Sequence, residues 1–400
     1  MDTQTLTVMD TTTVNRLRQR GLMALVVGGV VGAIGVVLHP AQFAPSWLIG
    51  FMFCTGLTLG SLSLLMTQHM SGGAWGLVTR RIFEAGTRLL PYAILLFIPI
   101  IFMLPQLYVW ARPDVVRADE VLQQKAGYLN VTFFLIRAAV YFIAWGFCTW
   151  YLNVWSAAQD RGEVAVTEAD TRRFRVVSAP GLLAYVFLLG LASTDWLMSL
   201  DTHWYATMFG FILVAGQALC ALSFAVAVLA MLSEREPMSS VVRTGHFHDL
   251  GKLMLAFIML WTYFSFSQFL IIWAGNLPEE ITYYLVRMRH GWQYVSLLII
   301  VGHFAFPFAL LLSATLKRRP RQLMRVAWYI VAIRLVDMIW IVAPNFNQGG
   351  FPISLANVGI PVALAGLWVY LFAGQLQRYA LVPFNDPYFR QMLARESGGH

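Results

Sequence analysis

The chain has 400 residues, of which 58% are hydrophobic and 12% are charged, and its formal net charge is +8 at pH 7. Soluble domains carry about 25% charged residues, so this composition excludes a soluble globular protein. The basic residues stand in short segments between apolar runs, a pattern typical of membrane orientation and not of nucleic-acid binding. The sequence therefore predicts an integral membrane protein that contacts lipid and has no nucleic-acid partner.

Ten apolar runs follow one another along the chain, and each comes close to or exceeds the ~20 residues that cross a bilayer as a helix. They are residues 21–38, 46–68, 89–110, 130–157, 174–194, 203–232, 250–274, 290–315, 322–343 and 354–376. We therefore predict an all-α integral membrane protein with about ten transmembrane helices. Its predicted parts are an N-terminal segment at 1–20, a ten-helix domain at 21–376 and a C-terminal tail at 377–400.

The basic residues also predict the orientation of the chain. Twenty-one of the 28 Lys and Arg residues fall on the side of the termini, five fall on the other side and two lie within helices. Loops rich in Lys and Arg remain in the cytoplasm, so both termini are predicted to be cytoplasmic.

Glycine spacing in the first two helices indicates close helix contacts. Gly28 and Gly32 form a G-x-x-x-G pair, as do Gly56 and Gly60. In membrane helices this spacing lets two backbones approach closely. The three cysteines lie inside predicted helices and are interpreted as small buried side chains. No C-x-x-C-H motif is present, so we predict no covalently bound c-type haem.

Four polar residues stand near the outer ends of the fourth to sixth helices. Arg137 lies about two turns inside the fourth helix, so it either extends to the surface or pairs with an acid on a neighbouring helix. Asp195 lies at a helix C-terminus, where the helix dipole disfavours a negative charge, so it should be paired or hydrogen-bonded. Asp201 is either the N-cap of the next helix or, with His203, part of a group that accepts and releases protons.

Three further candidates follow in the seventh and eighth helices. Asp249 and Lys252 are spaced i, i+3, so they either form an ion pair at the start of a helix or take up protons from the cytoplasm. His290 and His303 lie on the eighth helix, but haem b would need a matching histidine pair on another helix, which the chain does not offer. We keep His303 as a candidate on a proton path.

Arg334 and Asp337 lie in the apolar run from Ala327 to Ala343. Ionisable residues near the middle of a membrane are costly and rare, and the i, i+3 spacing places this pair on one helix face. The pair is either a salt bridge that only fixes helix packing or an element of a proton path.

Three segments resemble a known family. They are T-D-W-L-M-S-L-D-T-H-W-Y-A-T-M-F-G from Thr194, D-L-G-K-L-M-L-A-F from Asp249, and W-T-Y-F-S-F-S-Q-F-L-I-I-W-A-G-N-L-P-E-E from Trp261. The last segment continues as I-T-Y-Y, and N-L-P-E-E-I-T-Y-Y is a long match. The chain resembles the F subunits of bacterial alternative complex III, within the NrfD-like family of polysulfide-reductase membrane subunits.

This resemblance implies a fold, a reaction and a set of partners. The fold would have two four-helix bundles, formed by helices 2–5 and 6–9, with helices 1 and 10 outside them. The chain would be a subunit of a quinol-oxidising complex in the bacterial cytoplasmic (inner) membrane, without a redox centre of its own. Its partners would be a homologous NrfD-like subunit, an iron–sulfur subunit, multihaem and monohaem cytochrome c subunits, and a terminal oxidase in some complexes. Haem c and iron–sulfur clusters would belong to those partners.

The resulting functional hypothesis is a scaffold that lines a proton path and binds quinone. The path would begin at Asp249 and Lys252, pass Asp337 with Arg334, and end near Asp195, Asp201 and His203 with Arg137. The resemblance implies a quinone site either in the homologous membrane subunit, which is the better candidate, or in this chain near the same outer group of Asp195, Asp201 and His203. Two alternatives remain open, namely a secondary transporter with midplane charges and a purely structural membrane subunit.

Overall fold

The computed structural model describes residues 11–162, 168–347 and 354–397. Ten helices in these ranges are long and apolar enough to cross a membrane, and we name them α1 to α10. They are α1 (Thr12–Leu38), α2 (Pro40–Ser71), α3 (Ala74–Phe102), α4 (Val131–Asp160), α5 (Arg172–Leu200), α6 (Phe209–Leu232), α7 (Thr244–Gly275), α8 (Trp292–Leu312), α9 (Pro320–Asn345) and α10 (Leu355–Arg378). The described residues contain no strand. The chain is therefore an all-α, multi-pass membrane protein, as its composition predicted.

The ten helices form two bundles that share a central contact. In bundle one, α2 packs against α3 and α5, and α4 packs against α3 and α5. In bundle two, α6 packs against α7 and α9, and α8 packs against α7 and α9. The bundles meet where α2 lies along α6, and both of these helices are almost wholly buried. This arrangement confirms the predicted division into helices 2–5 and 6–9.

Helices α1 and α10 lie outside the bundles and pack tightly on each other. A Cβ atom added at Gly28 would lie 2.5 Å from the backbone nitrogen of Ala363, and one at Gly32 would lie 3.0 Å from the nitrogen of Ile360. Such distances leave no room for a side chain, so the helices touch backbone to backbone. The predicted packing role of this glycine pair is confirmed, and Gly60 similarly abuts the backbone of Gln217 on α6.

Several helix boundaries differ from the predicted ones. The helix that contains α1 extends back to Thr11, ten residues before the expected start, and its first turns bury Thr13, Val14 and Leu17 on one face. The third predicted run, 89–110, is replaced by α3, which joins the helix Ala74–Thr87 to the helix Leu90–Phe102. Pro91 starts the second of these and Pro99 lies inside it.

Shorter helices connect the spans. They include Pro113–Ala118 and Glu120–Lys125 between α3 and α4, Met238–Val241 before α7, Pro278–Arg287 between α7 and α8, Ala314–Lys317 before α9, and Pro387–Ser397 after α10. Because ten spans alternate in direction, α1 begins and α10 ends on one face, which we call the terminal face. We call the other face the distal face; the helix Pro278–Arg287 lies there.

The packing of α1 on α10 gives a direct test with two adjacent glycines. We expect Gly28→Ala to destabilise the protein by about 1–3 kcal/mol, because an added Cβ must push α10 away. Gly29→Ala is the matched control, since Gly29 is exposed and a Cβ there meets nothing within 4 Å. The free energy of unfolding, measured by titration with a denaturing detergent, distinguishes the variants. Equal stabilities would show that α1 and α10 do not touch as described.

Candidate functional site

A cavity of about 570 Å³ lies in bundle two, near its distal end. This volume is within the range of small-molecule sites. Most of its walls are aromatic and aliphatic, with a few polar groups from α7, α9 and the helix Pro278–Arg287. The lining residues are Phe209, Ile212, Trp261, Thr262, Ser265, Phe266, Gln268, Phe269, Tyr283, Tyr284, Arg287, Met288, Ser296, Ile299, Ile300, Phe304, Asp337, Trp340 and Ile341. The cavity therefore suits an amphipathic molecule with an apolar body and few polar atoms.

Asp337 is the only carboxylate among these lining residues. Nη1 of Arg334 donates to its Oδ2, and both side chains are almost fully buried. The predicted pairing on one face of the ninth helix is confirmed. The guanidinium of Arg334 lies against the backbone of Gly216, where an added Cβ would be 2.4 Å from Cζ. The ion pair therefore joins α9 to α6 and presents the carboxylate to the cavity.

His303 is the second titratable group beside this carboxylate. Its Nδ1 lies 3.8 Å from Oδ2 of Asp337, and its ring centroid lies 4.0 Å from that of Trp261. The residue is fully buried and belongs to a π-helical turn, Ile300–Ala305, within α8. π-helical turns occur often at functional sites. Among the described residues, neither ring nitrogen of His303 has a hydrogen-bond partner. The imidazole does not line the cavity, and it is placed to exchange a proton with Asp337.

The face of α7 that lines the cavity carries further polar atoms without partners. Within the part of the chain that the structure describes, these are Nε1 of Trp261, Oγ1 of Thr262, Oγ of Ser265 and Oε1 of Gln268. Buried polar atoms are nearly always hydrogen-bonded in proteins. The residues lie within seven helical steps, or about 10 Å of helix, so they offer hydrogen bonds along the length of a ligand rather than at one point.

Arg287 supplies a positive charge at the distal end of the cavity. Its guanidinium donates to the carbonyls of Trp340 (3.2 Å) and Ile341 (2.8 Å), about one turn beyond Asp337 on α9. Burial lowers its pKa, but an arginine stays protonated in proteins. Tyr284 lies nearby, and its hydroxyl accepts a hydrogen bond from Nε2 of Gln268 (3.3 Å). Arg287 lies in the segment between α7 and α8, on the distal face, and its side chain is buried there.

Arg137 and Asp195 form a second buried ion pair, in bundle one. Nε and Nη2 of Arg137 each lie 2.8 Å from a carboxylate oxygen of Asp195, and the hydroxyl of Tyr141 donates to Oδ2 at 2.8 Å. Nη1 of Arg137 donates to the carbonyl of Tyr128 at 2.9 Å. Burial raises the pKa of Tyr128 to about 12, so its hydroxyl is protonated at neutral pH. The expected pairing of both residues is confirmed, and the pair fastens α4 to α5.

Asp201 and His203 are not gathered around Asp195. Asp201 is not an N-cap, because α6 begins at Phe209 with Met208 in the cap position. Nε2 of His203 lies 3.2 Å from Oδ2 of Asp119, and its backbone N–H donates to Asp201 at 3.2 Å. None of the three residues predicted to surround quinone lines the cavity. The ring of Trp204 in the same loop stacks on that of Tyr283, a lining residue, with 4.1 Å between centroids, so this loop borders the cavity.

Asp249 and Lys252 lie at the terminal face as an exposed i, i+3 pair. Nζ of Lys252 is 3.2 Å from Oδ1 of Asp249, and more than half of each side chain is accessible. This geometry agrees with the simpler of the two interpretations, an ion pair at the start of a helix. The pair lies near the terminal end of α7, whereas Asp337 lies in the distal half of α9.

A third charge cluster, at the terminal face of bundle one, was missed. Nε of Arg80 lies 2.9 Å from Glu84, Nη1 of Arg81 lies 2.7 Å from Glu84, and Asp160 also accepts from Arg81. Nη1 of Arg80 lies 2.7 Å from Asp386 of the C-terminal segment. The two arginines had been counted as loop residues, whereas the structure buries them in α3. Their i, i+3 and i, i+4 spacing to Glu84 was the available sign of a helix.

Among the residues that the structure describes, no three His, Cys, Asp or Glu side chains converge to hold a metal ion. The site is thus defined by the cavity, the pair Arg334 and Asp337, and the neighbouring His303. Such an arrangement can bind the polar end of an amphipathic molecule and exchange protons with it.

The ion pair of bundle one gives a second test. We expect Asp195→Asn to destabilise the protein by about 3 kcal/mol, because it leaves the buried Arg137 without a counter-charge. Asp249→Asn is the control, and it should cost less than about 1 kcal/mol because its pair is exposed. Unfolding by denaturing detergent measures both values. A cost for Asp195→Asn no larger than that of the control would contradict the described pairing.

No protein-family model matches this chain, and no curated protein matches it.

Proposed function

We propose that this chain is a membrane subunit of a respiratory quinol-oxidising complex and that the cavity in bundle two binds quinol. The observation that carries the proposal is an apolar cavity of about 570 Å³ that is lined by the buried carboxylate of Asp337, with the imidazole of His303 next to that carboxylate. A quinol is a ring with two hydroxyl groups and an apolar tail, so it needs an apolar slot with hydrogen-bonding groups near the ring.

Quinol oxidation releases two protons and two electrons for each quinone formed. In this proposal the ring lies along α7, where Gln268 and Ser265 offer hydrogen bonds to its oxygens. Asp337 accepts each proton in turn, because a carboxylate close to the hydroxyl acts as a general base. It passes the first proton to the imidazole of His303, whose Nδ1 lies 3.8 Å from Oδ2 of Asp337, and keeps the second. The electrons pass to the iron–sulfur subunit and then to the cytochrome c subunits.

The proposed quinone site differs from the one that the sequence analysis favoured. Both carboxylate oxygens of Asp195 accept hydrogen bonds from Arg137, so that residue is bound within the protein. Asp337 faces the cavity and is held by one arginine. In the proposed complex the termini lie in the cytoplasm and the cavity lies near the outer face, and a homologous subunit stands beside this chain.

Quinone binding can be measured by tryptophan fluorescence, because Trp261 and Trp340 line the cavity. We expect a quinone analogue to quench the fluorescence of the purified full chain. Gln268→Leu should weaken binding about tenfold, the effect of one lost hydrogen bond. Gln106→Leu, at an exposed position, should leave the affinity unchanged. Quenching that is absent, or equally affected by both substitutions, would remove the cavity as the quinone site.

Membership of a complex requires a separate experiment. The tagged chain is extracted from its native membrane in mild detergent, and the purified material is examined by absorption spectroscopy and mass spectrometry. We expect c-type haem bands and an iron–sulfur protein. A colourless chain that purifies alone, from membranes whose cytochromes remain intact, would contradict the proposal and favour a transporter.

A further inference from the structure

A second, much smaller cavity lies where the two bundles meet. Its volume is about 10 Å³, and it is enclosed by α2, α6 and α9. The lining residues are Met52, Phe53, Gly56, Gln217, Cys220, Arg334 and Met338. A volume of roughly 10–15 Å³ on this measure accommodates one water molecule, provided that two or more polar partners surround it.

The cavity has such partners. Nη2 of Arg334 is buried and, in the described part of the chain, has no hydrogen-bond partner, whereas Nη1 of the same side chain binds Asp337. Gln217 faces the cavity from α6, and its amide oxygen has a second lone pair beyond the bond that it accepts from Tyr185. The thiol of Cys220 is a further, weak partner.

The amide of Gln217 is itself held from bundle one. The hydroxyl of Tyr185 on α5 donates to Oε1 of Gln217 at 3.3 Å. Tyr185 is fully buried. A set of polar contacts thus runs from α5 of bundle one, through α6, to the cavity beside Arg334.

We propose that one water molecule occupies this cavity and links Arg334 to Gln217, so that Gln217 and Tyr185 are positioning residues for Asp337. The water would satisfy the second guanidinium nitrogen and hold the guanidinium flat against Gly216. Arg334 then keeps its positive charge beside the carboxylate that faces the large cavity. This inference extends the proposed proton-accepting role of Asp337, but it needs no quinol.

The consequence concerns the charge of Asp337. Its titratable and charged neighbours are Arg334 on its own helix, His303 on α8 and Tyr283 on the helix Pro278–Arg287. Of these, Arg334 is the one held from bundle one. If the water and Gln217 no longer fix the guanidinium, its attraction for the carboxylate weakens, and Asp337 takes up a proton at higher pH.

The test follows the protonation of Asp337 by infrared spectroscopy in the full chain, without quinol. The carboxyl band of Asp337 is identified by its loss in Asp337→Asn. We expect the midpoint pH of this band to rise by at least one unit in Tyr185→Phe, which removes one oxygen atom. Tyr92→Phe is the matched control, because Tyr92 is also buried but its hydroxyl donates to the carbonyl of Leu364. Its midpoint should equal that of the unaltered protein.

Gly56→Ala provides a second, independent variant. An added Cβ would lie 3.1 Å from Cγ of Gln217, so it displaces the water while every polar side chain remains. The midpoint should rise here as well, and Gly29→Ala should leave it unchanged. Midpoints that stay within a few tenths of a unit in both Tyr185→Phe and Gly56→Ala would overturn the inference. An experimental map in which a protein atom directly bonds Nη2 of Arg334 would also overturn it. The midpoints are measured without quinol, so they test this inference even if the protein does not bind quinone.

Discussion

The cost of placing a charge in hydrocarbon governs this structure. An ionised side chain loses its water there, and only an opposite charge and hydrogen bonds from the protein offset that loss. Among the described residues, three groups of buried, paired charges each join segments that are separate in the chain. Arg137 and Asp195 join α4 to α5, Arg334 and Asp337 bind α9 against α6, and Arg80 draws the C-terminal segment onto bundle one through Asp386.

The same chemistry has different consequences in the two bundles because of what surrounds each pair. Asp195 accepts two hydrogen bonds from Arg137 and one from Tyr141. Its bonding capacity is largely used within the protein, so its ion pair suits a structural role. Asp337 receives Nη1 of one arginine and otherwise faces His303 and a cavity. A carboxylate with unused acceptor capacity beside a ligand-sized space is the arrangement expected of a group that exchanges protons.

Hydropathy was enough to predict the ten helices, because each helix satisfies its own backbone hydrogen bonds and exposes apolar residues. Their division into two bundles was predicted from the family resemblance. The pairing of Arg334 with Asp337 was also accessible, since i, i+3 spacing is a local property. The large cavity was not, because its lining comes from four spanning helices and the helix Pro278–Arg287. The burial of Arg80 and Arg81 in α3 was not predicted, for a related reason. A run rich in basic residues has the composition of a loop, and only the partners supplied by distant Asp160 and Asp386 allow it to be buried.

The contact between α2 and α6 has a second consequence besides packing. Gly56 and Gly60 let α2 approach α6 closely, and that approach encloses the small cavity beside Gln217. If α2 carried larger residues, the bundles would stand apart and Arg334 would face lipid tails or a wider gap. Close packing of small residues is thus what allows side chains of bundle one to act on a carboxylate in bundle two. A protein without such an interface could bind the same ligand, but the charge of its proton acceptor would depend on one bundle alone.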